Sequence, residues 1–470
     1  MEFLKLLIES MSYSNLYFKA PVFFQNIAMS LYGLYWKKRR FGGVFKKEVN
    51  LFRKRNSFSK QQWDVYQELE LRKLLVHAFT NVPFYQKKYT DAGFSLSDFQ
   101  TFKLKNLNKL PFLEKEELRQ YGTTELLSST RIKGSFYSSS GSTGTPTNIF
   151  YSREFHQKWS AAFEVRIREW AGVDRFTPRG MIGGRKILKG NSPPFYRYNY
   201  FEKQTYFSTY HIGPSNINSY LKGIIEGKVE YMTGYAMSNY LLAKEFEKAG
   251  IIPPKMKAII TSSETLTNEM RRTLEKVYDC KVYDSYSGVE ACGLISESND
   301  GKLFNSPDVG IIEVLDEKGK NVKQNEIGEL ISTGLLNYDQ PLIRYKIGDR
   351  ISLGNINNFN NQRQMPIVKS INGRIEDVVT GPNGNIMVRF HSIFIDINGL
   401  IASQIIQQSI SHIVLKLVID DNCYNDVNSE AIMTDRLKYQ LGDSIKIFFE
   451  YVNELPLTSS GKIKAVISKI

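Results

Sequence analysis

KAIITSSETLTNEMRRTLEKVYDCKVYDSYSGVE, residues 257–290, decides the fold. Lys257 to Thr261 is a short apolar run rich in β-branched side chains and predicts a strand. Asn268 to Tyr278 spaces its apolar residues at helical intervals, and Lys281 to Tyr283 predicts a second strand. Strand, helix and strand in so short a span predict parallel strands joined by a crossover helix. Ligands of such sheets bind beyond the carboxyl ends of the strands. That rule puts Thr261-Ser262-Ser263-Glu264 and Asp284-Ser285-Tyr286-Ser287-Gly288-Val289-Glu290 in two polar loops at the mouth of a site.

The alternation extends upstream, with a strand at Arg179 to Ile182, a helix at Ile217 to Glu226, a strand at Val229 to Met232 and a helix at Ser238 to Ala249. Downstream, Ile311 to Leu315 and Glu329 to Thr333 read as strands joined by a turn rich in Asp, Gly and Asn. The Asn-rich stretch Gly354 to Arg363 reads as a surface loop. Gly373-Arg374-Ile375-Glu376-Asp377 marks a boundary before a last segment of strands and helices. Near the start, Glu48 to Gly93 is helical in pattern, and Phe112 to Tyr121 forms a further short helix.

Ser138-Ser139-Ser140-Gly141-Ser142-Thr143-Gly144-Thr145-Pro146-Thr147 lies between two β-prone runs, Gly134 to Tyr137 and Asn148 to Tyr151, which predicts a hairpin. Its glycines let the backbone approach an anion, while N–H groups and hydroxyls donate to phosphate oxygens. A flexible polar linker has the same composition. The Walker spacing is absent, because Gly144 is followed by Thr145-Pro146 rather than by lysine.

With 470 residues, 42% of them hydrophobic, the chain can bury a large core in more than one domain. The formal charge of +14 suits nucleic acid, an anionic membrane surface or phosphorylated substrates. Lys37, Lys38, Arg39, Arg40, Lys46, Lys47, Arg53, Lys54 and Arg55 follow the aromatic stretch Pro21 to Trp36. The pairing fits a membrane surface or a solvated basic helix packed by its aromatic face. Cys280, Cys292 and Cys423 are scattered, supporting neither a disulfide framework nor a cysteine zinc site. Met1-Glu2-Phe3-Leu4-Lys5 lacks the basic opening of a signal peptide, and no apolar run reaches the roughly twenty residues of a membrane span. The expectation is a soluble, cytoplasmic protein.

The order of the polar motifs resembles that of the adenylate-forming superfamily: the loop at 138–147, the acid loop ending in Glu290, Tyr345-Lys346-Ile347-Gly348-Asp349, Gly373 to Asp377, and Leu457-Thr458-Ser459-Ser460-Gly461-Lys462. Pro341-Leu342-Ile343-Arg344-Tyr345 resembles the phenylacetate-CoA ligase branch. Pro21 to Asn26, Ser263 to Leu266 and Gly461 to Ser468 resemble its capsular-polysaccharide CapK-like members. The resemblance implies an α/β fold: a large multi-subdomain N-terminal domain at 1–375 with mainly parallel sheets and a basic helical extension over about 1–100. A small mobile α+β lid at 376–470 would carry Lys462.

The resemblance further implies ATP and Mg²⁺, with Ser139, Ser140, Gly141, Ser142, Thr143, Gly144 and Thr145 on the phosphates. It places Ser263, Glu264, Asp284, Ser285, Tyr286, Asp349 and Arg374 around the nucleotide, Tyr286 against adenine and Asp349 on ribose. Glu290 becomes the acid associated with Mg²⁺, although it is also the residue type that opens helices. An aspartate after glycine, as Asp349 is, also serves turns. Lys462 becomes the catalytic cation between carboxylate and phosphate, and Glu376 the hinge, where relatives carry aspartate or lysine. Gly184, Arg185, His211, Tyr235, Ala236 and Ser262 would line the acyl pocket, with His211 a candidate base or a structural histidine. Arg344 is a further candidate for an anionic group.

Val289 and Ser287 depart from the family pattern. Ser296-Glu297-Ser298, Asn305 and Gln362 to Pro366 replace the cysteines and histidine of a metal cluster found in many relatives, so no structural zinc is expected. The expected partners are a carboxylic acid and an acceptor, CoA among the candidates, with peripheral membrane contact through the basic segment and no nucleic acid. An AMP-transferring enzyme and a non-catalytic scaffold for polysaccharide assembly are the competing readings.

Overall fold

The computed structural model describes residues 15–138, 147–190, 192–264, 266–354, 363–372, 379–387, 391–394, 397–419, 424–456 and 466–470. Its strands are β1 Gly134–Ser138, β2 Asn148–Ser152, β3 Arg179–Gly183, β4 Tyr196–Asn199, β5 Gln204–Ser208, β6 Tyr231–Tyr235, β7 Ala258–Ser262, β8 Lys281–Tyr286, β9 Ile295–Glu297 and β10 Leu303–Asn305. There follow β11 Gly310–Leu315, β12 Ile327–Gly334, β13 Tyr345–Leu353, β14 Ile367–Asn372, β15 Val379–Thr380, β16 Ile386–Met387, β17 Leu400–Ser409, β18 His412–Ile419, β19 Lys446–Tyr451 and β20 Val466–Ser468.

Among the described residues, twelve of these strands form one sheet in the order β11-β12-β13-β14-β10-β9-β8-β7-β6-β3-β5-β4. The strands β8, β7, β6, β3 and β5 run parallel. Tyr231, Met232, Ala258, Ile259 and Ile260 are almost fully buried, as both-face burial of parallel strands requires. The crossover helix Asn268–Tyr278 is capped by the Thr267 side chain, buries Met270, Leu274 and Tyr278 at four-residue intervals, and ends at left-handed Asp279. The other seven strands pair antiparallel, so the sheet passes from a parallel centre into an antiparallel wing built by 295–372.

Two boundaries move in a way that matters for the site. β6 runs on to Tyr235 and its helix starts at Ala236. Gly234 permits this tight turn: φ is 134°, and a Cβ there would stand 1.9 Å from the Ile182 carbonyl oxygen. β8 runs on to Tyr286, so Asp284, Ser285 and Tyr286 belong to a strand and only Ser287 to Glu290 form the loop.

The early chain is helical as its pattern predicts, with Phe45–Arg55, Lys60–Asn81, Pro83–Asp91 and Lys115–Tyr121. Ser59 and Gln62 form a capping box at the second of these. Asp308 Oδ2 accepts from Arg55 Nε at 2.7 Å and Arg166 Nη2 at 3.0 Å, fastening the helices to the antiparallel wing. β1 and β2 form the expected hairpin, Ser138 opposite Asn148.

A second sheet, β19-β18-β17-β20, packs on the helix Asp426–Leu441 around Ile405, Ile413, Leu415, Leu417, Met433 and Leu437. It meets the larger body where the Tyr439 hydroxyl donates to the Leu188 carbonyl. Lys186 Nζ stands 3.8 Å over the Tyr439 ring there.

Candidate active site

The parallel strands end in register, Gly183 beside Ser208, Tyr235 beside Ser262, and Ser262 beside Ser285. Gly184, Arg185, Tyr235, Ala236, Ser262, Ser263 and Glu264 therefore gather along one carboxyl edge. Ser263 holds φ at 72°, a left-handed conformation that turns the chain sharply beyond β7. Glu264 Oε2 accepts from the Met237 amide at 2.8 Å, so this carboxylate caps the helix that follows Tyr235.

β8 carries the next residues. Asp284 Oδ1 accepts from Thr261 Oγ1 at 3.1 Å and from the Ser285 amide at 2.9 Å. Burial pushes the Asp284 carboxyl up to about 7, a shift the Thr261 hydrogen bond opposes and the Glu297 charge reinforces. Glu297 accepts from the Asp284 amide at 2.8 Å and pairs with Arg271 at 2.7 Å. Ser285 is buried and donates to the Thr261 carbonyl at 2.8 Å, so its hydroxyl joins two strands instead of facing a ligand.

Tyr286 ends β8, and its hydroxyl donates to Asp349 Oδ2 at 2.7 Å. Asp349 sits within β13, at the irregularity that follows left-handed Gly348, where neither neighbouring strand is in register with it. Glu290 lies in a turn leading to β9, which excludes the helix-opening alternative. Gly288 makes room for it: a Cβ there would stand 2.3 Å from Glu290 Oε2. Thr147, fully buried just before β2, donates to Glu290 Oε1 at 3.5 Å. The Tyr151 hydroxyl donates to the Val289 carbonyl at 2.6 Å, pinning the turn to β2. Burial pushes the Glu290 carboxyl above its ordinary value; Lys115 opposes the shift and the Asp349 charge adds to it.

Hairpin, acid turn and β13 thus bring Glu290, Thr147, Tyr286 and Asp349 together from segments separated by as much as two hundred residues. An oxygen-bearing carboxylate held above its ordinary pKa, with a second carboxylate close by, suits a hard divalent cation, which would favour the charged form. Among the described residues no group of three or more His, Cys, Asp or Glu side chains could hold a metal by itself. The cation would therefore need oxygens from a ligand as well as Glu290.

Protein CapK of Staphylococcus aureus is 29% identical to this chain over 476 residues, covering 97% of this chain and 99% of its own. The chain is a CapK homologue. The family model described as the CapK C-terminal domain matches residues 379–469. The phenylacetate-coenzyme A ligase of Pseudomonas putida is 28% identical over 334 residues, 66% of this chain and 70% of the ligase. The solved structure of 2-hydroxyisobutyryl-CoA ligase with 2-HIB-AMP and CoA in the thioesterification state matches with a TM-score of 0.57 at 18% identity, over 88% of this chain and 91% of that one. This CapK homologue therefore has the mixed α/β fold of the adenylate-forming CoA ligases, with a C-terminal domain.

The expected roles of Arg344 and His211 are corrected. Arg344 is 2% exposed, and its Nη2 and Nε bind Glu313 at 2.8 and 2.9 Å, so it is neutralised inside the protein instead of meeting an anionic ligand. His211 is buried, bonds Ser208 Oγ through Nδ1 at 2.7 Å and stacks on Phe195. Burial lowers its pKa to about 4, so it is a structural histidine and no base at an open pocket. Arg185 is exposed, its guanidinium 4.8 Å from the Tyr32 ring centre and 5.2 Å from that of Tyr206. Ser139 to Thr145, Arg374, Glu376 and Lys462 lie outside the described residues. Glu297 and Tyr439 carried no local signal, and Thr147, although part of the hydroxyl loop, gave no sign of its bond to Glu290, since each acts through partners distant in sequence.

Proposed function

We propose that this CapK homologue activates a carboxylic acid with ATP as an acyl-adenylate and passes the acyl group to CoA, a carrier thiol or an amine, in surface-polysaccharide biosynthesis. The meeting of Glu290, Asp349 and Tyr286 at Thr147, the residue that follows segment 139–146, is the observation that supports this reading. Ser139 to Thr145 would donate to the phosphates, Tyr286 would pack against adenine, and Asp349 would accept from ribose hydroxyls once Tyr286 releases it. Mg²⁺ beside Glu290 would neutralise phosphate charge.

A substrate carboxylate oxygen attacks the α-phosphorus, and the bond to pyrophosphate breaks. Lys462 supplies positive charge to the in-line transition state. The acceptor then attacks the acyl carbon, AMP leaves, and the acceptor's proton passes to solvent. Residues 376–470 form the lid that carries Lys462, with Glu376 at the hinge.

ATP-dependent pyrophosphate release is measured across aromatic, amino, sugar and dicarboxylic acids without thiol, in wild type and Lys462→Ala. Release with one acid, lost in the variant, supports adenylation. Silence across the panel together with no ATP binding refutes it, and AMP retained on the product points to nucleotidyl transfer.

A further inference from the structure

The helix Val22–Phe41 carries an apolar face that nothing in the described structure covers. Phe23, Phe24, Ile27 and Leu31 are exposed by 64, 58, 38 and 41%. At 100° per residue they fall, with Lys38, within an arc of about 100°. The opposite arc holds Gln25, Met29 and Gly33, and Ser30 borders the stripe beside Phe23; all four are buried. The inward face is tied by its polar groups: Gln25 Oε1 accepts from Arg197, and the Asn26 and Ser30 side chains accept from the amides of Tyr198 and Tyr200 at 2.9 and 3.0 Å. The helix is thus fixed in rotation, and its outward stripe is a property of the fold.

Charge says what the stripe fits. None of the twenty residues of this helix is acidic, and its last turn is Lys38, Arg39 and Arg40. Arg39 and Arg40 are spent internally, on His156 and the Tyr151 carbonyl and on Glu202. Lys38 is exposed on the stripe's own arc, and Lys19 is exposed just before the helix. Lys37 donates to the Phe201 carbonyl at 3.1 Å, which joins the exposed side chains of Phe201, Tyr200 and Lys203 to the same end. Glu202 in this region is buried and paired with Arg40 and Arg179, and Glu154, next to the Arg153 that donates to the Lys38 carbonyl, is paired with Lys158 at 2.8 Å. An apolar stripe about 12 Å long, on a helix of about 30 Å that holds no acidic residue and ends in cations, matches an interface-lying helix. No described helix is long and apolar enough to cross a membrane, so the helix would lie in the headgroup plane.

We propose that this face docks the protein on an anionic lipid bilayer, with Phe23, Phe24, Ile27 and Leu31 entering the acyl boundary and Lys19, Lys37 and Lys38 meeting lipid phosphates. Aromatic and aliphatic insertion supplies most of the affinity and the lysines supply its lipid selectivity. The proposal stands independently of the adenylation chemistry.

Full-length protein is sedimented with vesicles of phosphatidylcholine alone and with vesicles containing phosphatidylglycerol, at low and high salt. Preference for the anionic vesicles, weakened by salt, is the expected result. Phe24→Ser/Ile27→Ser/Leu31→Ser should lower the partition coefficient at least tenfold, and Lys19→Glu/Lys38→Glu should remove the lipid preference. Both variants should melt like wild type, because every replaced side chain is exposed. No sedimentation with either vesicle overturns the proposal. So does unchanged binding of the triple variant, which moves the contact elsewhere, including residues 1–14. A wild-type dimer that the triple variant converts to monomer, with no lipid binding, assigns the stripe to a second copy of the chain and also overturns it.

Discussion

Asp284→Asn separates the charge of this carboxylate from its hydrogen bonds. In the folded protein burial holds the carboxyl at about 7, against 3.8 in the free side chain. Thr261 Oγ1 and the Ser285 amide both donate to Oδ1, and an amide oxygen accepts both. The folded state keeps a proton that the unfolded state has lost, so the stability tied to Asp284 is fully present below pH 3.8 and is lost as pH rises through about 7. At 1.36 kcal/mol per pKa unit the whole effect is about 4 kcal/mol, of which about 3 kcal/mol falls between pH 5 and 8.5.

Two buried histidines act in the opposite direction. Burial lowers His156 to about 3 and His211 to about 4, so both favour unfolding as pH falls below their ordinary value of 6.5. They are common to both proteins and cancel in the difference. Urea unfolding of wild type and Asp284→Asn is followed at pH 5 and 8.5 by tryptophan fluorescence. Trp36, Trp63, Trp159 and Trp170 all lie outside the CapK C-terminal match, so the signal reports the larger body. The variant should gain about 3 kcal/mol on wild type between the two pH values. A difference that changes by less than about 1 kcal/mol means Asp284 is ionised in the folded state throughout, and the burial argument fails.

Glu290→Gln should lower pyrophosphate release at least about a hundredfold while leaving the melting temperature at pH 8 unchanged or higher, since burial already disfavours the charge; near-normal turnover would remove Glu290 from the chemistry. Arg344→Met strands Glu313 in the interior and should cost about 3–5 kcal/mol in urea unfolding, whereas a ligand-facing arginine would be replaced almost without cost. Gly234→Ala drives a Cβ into the Ile182 carbonyl at a φ of 134°, so a loss of more than about 3 kcal/mol is expected, and a stable, active variant would contradict the tight strand-to-helix turn.

Local pattern determined a good deal by itself. The apolar run of β7, the four-residue spacing of Met270, Leu274 and Tyr278, and the Thr267 cap are short-range signals, and the parallel centre of the sheet follows from them. The hairpin β1-β2 was equally legible, because its strands are neighbours in sequence. The order of polar motifs named the candidate acids, Glu290 and Asp349.

Tertiary structure decided what those groups touch. Sequence spacing says nothing of Tyr286 bonding Asp349 across 63 positions, or of Glu290 meeting Thr147 across 143. Arg344 reads as a free cation until Glu313, on a neighbouring part of the antiparallel wing, neutralises it. Ser285 reads as a loop hydroxyl until β8 proves three residues longer and buries it against β7. In each case propensity acts over a few residues, whereas the charge and hydrogen-bond state of a buried group is set by whichever distant segment packing brings against it.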